Sequence, residues 1–326
     1  MGKALKLYPP IASATELRSR LAQAFPGEDL VLPPHLDQVL AIHSKLGDQR
    51  PATCGAYALS YLLPARGFER LEGHSLADED YMAHLAAVTI EAREVTESDE
   101  VAARVARGEL TEAEARRRHP HTWYRFPMSS SADPAEVGTS AGGVARAISL
   151  GSAGRLATVP VPGRRADGLP QLDAVAWERL LDTVEDEFAA GGVDVLFNYD
   201  TDQVLGARDP AYSAANLRRP DAASVIPLDH WGVGHFVPLI GALRRPGGDR
   251  WLVILNSFKE RAFSACEPQP AELMRRAVIR EDGRGGGVLL VVPAERRTSW
   301  VERVEAAGLA VGTWSNGSRE PADWRW

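Results

Sequence analysis

Three short stretches of this chain carry side chains that together could do acyl chemistry. The first is Q-R-P-A-T-C-G, residues 49–55. Pro51 interrupts any helix arriving from residue 46, and the apolar run G-A-Y-A-L-S-Y-L-L restarts directly after the cysteine. Cys54 is therefore expected at or beside a helix N-terminus, where unpaired backbone N–H groups favour the thiolate. Gly55 has no side chain and would let a substrate carbonyl come close. Gln49, five positions upstream, could donate its amide to a developing oxyanion together with the Cys54 N–H.

A thiolate nucleophile needs a base that later protonates the leaving group. The chain has eight histidines. His119 and His121 lie in an Arg-rich stretch, His74 and His84 flank or sit within a helix, and His43 is expected on a surface helix. Only His230 and His235 adjoin apolar strands. In D-H-W-G-V-G-H-F-V-P-L-I-G, His235 opens a buried strand after a small-residue approach, while W-G-V-G between His230 and His235 fits a loop better than a strand. Gly234 and Trp231 in that approach are expected to contact substrate. The next strand, W-L-V-I-L-N-S-F, carries one buried-looking polar residue, Asn256, which could orient the imidazole. Direct opposition of His235 and Asn256 in a hairpin centres the turn between Arg245 and Pro246. A shift of a residue or two, or a bulge, keeps the pair neighbouring. Asp229 is the alternative orienting residue if the register differs. Cys266 lacks any such context and reads as structural, the common state of a free cysteine.

Composition bounds the remaining classes. A net charge of −7 argues against a nucleic-acid surface, which would show a basic stripe. Two cysteines make neither a disulfide framework nor a multi-cysteine zinc site. No signal-peptide stretch opens the chain, and no apolar run is long enough for a membrane span. A reducing cytoplasm is the expected compartment.

The elements that must position these residues divide unevenly. Helices are expected at 13–25 (with Leu17, Leu21 and Phe25 on one face), at 34–46, after Cys54 to Pro64 and Gly67, and at 75–87 with Ser75 as cap. Residues 91–118 read as a charged, solvent-exposed helical insertion. Residues 128–143 read as loop; G-T-S-A-G-G-V at 138–144 lacks the ending of a phosphate loop and leads into a helix near 143–150. Strands are expected at 156–161, 193–199, 236–243, 251–258 and 287–292. Two helices, at 173–190 (with Val175 on its apolar side) and 295–307, accompany them. Helices early and strands late point to an α+β fold. Residues 1–326 are expected to form a single catalytic domain. Its parts are N-terminal helices (1–48), the nucleophile-helix region (49–87), the insertion and loop (88–150) and a sheet-rich half (151–326).

The order Gln, Cys-Gly at a helix start, Gly-His on a strand and Asn-Ser-aromatic on the next resembles the papain-like cysteine proteases. The Q-x-x-x-x-C-G-A-x-x-L form is most similar to the bacteriocin-leader-processing peptidases, and L-N-S-F is similar to the K-N-S-W of papain. By that resemblance Gln49 matches the oxyanion-hole glutamine, Cys54 the nucleophile, His235 the base and Asn256 the orienting residue. The resemblance covers three short blocks. The chain departs from it where the bacteriocin-leader group has Asp as third residue, where papain has Cys-Trp after the nucleophile instead of Gly55-Ala56, and where papain's Gln-to-Cys spacing is one residue longer. It implies a papain-like fold, with a helical half bearing the nucleophile and an antiparallel sheet bearing His and Asn. It also implies a cysteine peptidase or amidase working through a thioester on a peptide or amide substrate, with no metal or organic cofactor. The alternatives are an acyltransferase or peptide ligase using the same residues, and a non-catalytic peptide-binding module.

Overall fold

The structure is a computed structural model and describes residues 9–205, 232–244, 250–259, 264–280 and 284–326. It divides into two compact units, Met1–Asp48 with Arg155–Asn316, and Gln49–Gly154 with Gly317–Trp326. The first unit opens with helix α1 (Ala14–Ala24), strand β1 (Asp29–Val31) and α2 (Leu36–His43). The second unit follows with α3 (Cys54–Ala65), β2 (Arg70–Leu71), β3 (His74–Ser75), α4 (Glu79–Leu85), β4 (Thr89–Glu91), α5 (Ala92–Ala106), α6 (Glu112–Arg118), β5 (Ser129–Ser131) and α7 (Ala141–Gly151). The chain then returns to the first unit through β6 (Leu156–Pro162), α8 (Ala174–Ala189), β7 (Asp194–Asp200), β8 (Gly234–Arg244), β9 (Arg250–Leu255), β10 (Cys266–Pro270), α9 (Ala271–Ile279), β11 (Gly287–Pro293) and α10 (Arg297–Ala306). The fold is mixed α+β, with a large antiparallel sheet.

That sheet belongs to the first unit. Its order is β10-β9-β8-β7-β11-β6, with β1 also pairing β8, and every pairing is antiparallel. Strands β7 and β11 read as near-continuous apolar runs because the core packs on them: Trp177, Leu180, Val184 and Phe188 of α8, Met274 of α9 and Trp300 of α10 cover Val195, Phe197, Val288 and Leu290. Asp173 starts α8 by accepting from the Ala176 N–H at 2.8 Å, one of the donors a helix start leaves unpaired. Val175, expected on the apolar side, is exposed: it falls in the first turn, away from the Trp177–Leu180–Leu181–Val184–Phe188 stripe.

The second unit is mostly helical. Ser75 does not cap its helix; it lies in the β2–β3 hairpin, and Asp78 caps α4 through the Asp80 N–H at 3.1 Å. Pro64 is carried inside the last turn of α3, and Gly67, at φ +83°, follows the helix end. The charged 91–118 stretch forms α5 and α6, whose inner faces bury Val101 and Ala115, with Leu110 of the connection between them, against Trp123. Residues 129–131, expected in a loop, pair in parallel with β4. Among the described residues no helix is long and apolar enough to cross a membrane.

Candidate active site

The candidate residues fall in both units. His235 and Asn256 belong to the first, Cys54 and Gln49 to the second, and each pair is built by its own surroundings.

His235 lies one residue into β8, opposite Tyr199 of β7. Asn256 follows the last residue of β9 and keeps sheet geometry there, its N–H donating to the Ala265 carbonyl at 2.8 Å. The β8–β9 register pairs Leu239 with Ile254 across a bulge, where direct His235–Asn256 opposition requires Leu252. The offset is two residues. Side chains alternate faces with a period of two, so an even offset leaves both residues on one face. His235 Nε2 and Asn256 Oδ1 meet at 3.1 Å, and both residues are buried. Asp229, the alternative partner, and with it His230 and Trp231, lies outside the described residues.

The hydrogen bonds settle which atom of the amide faces the ring. Asn256 Oδ1 accepts the backbone N–H of Ser257 at 2.8 Å and of Phe258 at 3.3 Å, while Nδ2 donates to Glu267 Oε1 at 3.1 Å. Exchanging O and N would set donor against donor and acceptor against carboxylate. The atom facing His235 is therefore an acceptor, Nε2 carries the proton, and Nδ1 is the basic nitrogen. Tyr199 meets the ring edge-on and Phe258 stacks on it, with centroids 5.9 and 5.5 Å away.

His43, expected on a helix surface, is instead buried, 3% exposed, with Nε2 donating to the Asn256 carbonyl at 3.1 Å. Burial first, and then the Lys259 charge, lower its pKa to about 4, so it is neutral at physiological pH. The signal was present in the sequence: Leu36, Val39, Leu40 and His43 are spaced as one buried helix face.

Gly234 has a packing reason for its identity. A Cβ there would run into the guanidinium of Arg280, itself fully buried.

In the second unit Cys54 is the first residue of α3 and is almost fully buried, at 9% exposure. The turn before it is tightly specified. Ala52 sits at φ +64°, a left-handed conformation costly for a residue with a Cβ, and its carbonyl accepts the Thr139 hydroxyl at 3.0 Å. The Thr53 hydroxyl contacts both the Arg50 carbonyl (2.8 Å) and Glu79 Oε1 (2.5 Å), and Glu79 Oε1 also accepts the Arg50 N–H at 2.9 Å. Burial raises the Glu79 pKa to about 7, against the lowering effect of the hydrogen bonds that it accepts from Thr53 and from the Arg50 N–H. The Arg50 side chain is buried beneath, paired with Asp80 at 2.9 Å, bonded to the Trp123 carbonyl and stacked over the Tyr124 ring.

Gln49 is half-buried, and its Nε2 donates to the Arg50 carbonyl at 3.2 Å. A Cβ on Gly55 would lie 2.6 Å from Val144 Cγ2 and 2.7 Å from Thr139 Cγ2, so close packing of α3 on α7 requires glycine there. Cys266 is wholly buried on β10, where burial and neighbouring Glu267 push its thiol up. Nothing in the sequence pointed to Glu267 or Glu79. Glu267 sits in C-E-P-Q-P, where two prolines mask a strand, and Glu79 looks like an ordinary first-turn acid.

An α+β chain with a buried imidazole–amide pair in one unit and a cysteine opening a helix in the other is the class these observations define. The chain belongs to a family described as a family of unknown function (DUF6885), which matches residues 33–315 and so includes all four candidate residues. No curated protein matches it.

Proposed function

We propose that the chain is a cysteine-dependent peptidase or amidase of papain-like build. The observation that carries this reading is the His235 Nε2–Asn256 Oδ1 bond at 3.1 Å, in an orientation that leaves Nδ1 as the base. A histidine held this way is prepared to exchange a proton at Nδ1 while its far nitrogen is anchored.

The Cys54 thiol gives its proton to His235 Nδ1, and the resulting thiolate attacks the carbonyl carbon of a peptide-like amide. The carbonyl π pair moves onto oxygen, stabilised by the Cys54 N–H and by the second N–H of Gln49 Nε2. His235 gives its Nδ1 proton to the departing amine as the C–N bond breaks, leaving a thioester. It then takes a proton from water, whose oxygen displaces Cys54 and releases a carboxylic acid.

Iodoacetamide labelling at neutral pH with peptide mapping tests the pair. Cys54 is expected to label readily in the native protein, Cys54→Ala to lose that adduct, and His235→Ala to slow it steeply. Unchanged Cys54 reactivity in His235→Ala would sink the proposed pair.

A further inference from the structure

Asn256 is neutral, and a neutral amide gives an imidazolium no charge to lean on. The charge in this part of the first unit lies one contact further out. Strand β10 runs beside β9 with Glu267 opposite Ile254, and the Glu267 side chain is buried, 1% exposed, against the Asn256 amide. We infer that Glu267 is a positioning residue for His235: its carboxylate takes one N–H of Asn256 and so locks Asn256 Oδ1 onto His235 Nε2. This role rests on the reading of His235 as the base.

Four observations bear on it. Asn256 Nδ2 donates to Oε1 at 3.1 Å, and Gln269 Nε2 donates to Oε2 at 3.4 Å, so both oxygens accept N–H groups, as an ionised carboxylate does. Gln269 is itself fixed, accepting the Leu205 N–H at 2.9 Å and donating to the Leu205 carbonyl at 3.0 Å. The Asn256 backbone is held on both sides, by Ala265 and by His43. Its amide is thus fixed by Glu267 at one end and by the Ser257 and Phe258 N–H groups at the other. A buried carboxylate is costly unless hydrogen-bonded, and here it sits where its field favours a charged ring. Other ionisable groups facing this region are Tyr199 on β7, His43 on α2, Lys259 beyond Phe258, and Arg280, Asp200 and Asp202 around Gly232 and Gly234.

The test uses the full chain, with isotope-labelled histidine and asparagine followed by NMR, and Cys54 alkylation in parallel. Glu267→Gln keeps an acceptor for Asn256 but removes the charge. It is expected to lower the His235 titration midpoint by about one pH unit. Glu267→Ala removes both, and is expected also to slow Cys54 alkylation and expose the Asn256 Nδ2 protons to fast exchange. A His235 titration unmoved in both variants overturns the role. If neither variant folds, the native protein decides: slowly exchanging Asn256 Nδ2 protons support the role, and fast exchange overturns it. The two readings fail separately. An inert Cys54 in the native protein refutes the peptidase, while the titration still decides Glu267. A reactive, His235-dependent Cys54 with a titration indifferent to Glu267 refutes only the positioning role.

Discussion

The imidazole region of the first unit and the cysteine region of the second are held by different physics. Around His235 the constraints are hydrogen bonds between buried side chains on regular strands, and each polar atom of the Asn256 amide has a stated partner. Around Cys54 they are steric and ionic: a left-handed Ala52, a glycine pressed between Thr139 and Val144, and a buried Arg50–Asp80 pair beside a buried Glu79 whose pKa burial raises. A hydrogen-bonded site fails in steps as single bonds are removed. A sterically and ionically set turn fails through strain, and its state follows pH.

The largest expected effect tests the hydrogen-bonded side. His235→Ala should slow turnover by about 10²–10⁴-fold, the usual worth of a positioned acid–base group. A loss below tenfold, read as initial rates on a peptide substrate, would mean that His235 is not the base.

The pH response should separate the two regions next. His43 has its folded pKa lowered from 6.5 to about 4. The unfolded chain takes up that proton first, so His43 supports folding above pH 6.5 and this support is lost as pH falls toward 4, about 3 kcal/mol in full. Glu79 behaves oppositely: its folded pKa is raised from 4.5 to about 7, so its support is fully present below 4.5 and lost as pH rises through 7. Acidification from 7 to 4.5 should weaken α2 and strengthen the α3–α4 region. Hydrogen exchange corrected for intrinsic rate reads this, and slopes of the same sign in both regions would break the comparison.

Asn256→Ala should destabilise the first unit by about 1–3 kcal/mol, because the Glu267 carboxylate is left short of a buried donor. Chemical denaturation measures it, and a neutral result would show that the amide is not part of the packing. Gly55→Ala should cost about 1–3 kcal/mol through overpacking of α3 on α7. If it is tolerated while thiol reactivity is lost, glycine serves the substrate and not the helix contact.

Much of the architecture could be read from the sequence because it is written in periodicity. The α8 stripe, strands β6, β7 and β11 and the 3.6-residue face of α1 follow from the spacing of apolar residues. Elements that violate the pattern were missed for physical reasons. Strand β10 carries two prolines, which an edge strand tolerates because one side needs no ladder bonds. The parallel β4–β5 pair is too short and too polar on its serine side to show alternation. Of the candidate site, the His235–Asn256 contact was readable because an apolar strand makes a lone polar residue conspicuous. His43 follows the helical period of the buried face, but its polarity points to the surface. Glu267 and Glu79 depend on pairings distant in sequence, and no local pattern encodes those.

The consecutive order of β8, β9 and β10 also bears on how the protein acquires its shape. His235, Asn256 and Glu267 are linked by contacts only 21 and 11 residues apart along the chain, whereas Trp314 reaches Asn198 across 116 residues. Closing short loops costs less chain entropy than closing long ones. The His235–Asn256–Glu267 hydrogen bonds should therefore form early, as part of a local meander, before the distant edges of the sheet are joined. Pulse-labelled hydrogen exchange during refolding should show protection at Val253 and Ile254 ahead of Val159 and Leu290. In kinetic terms, the His235 end of the candidate site would serve as a folding nucleus.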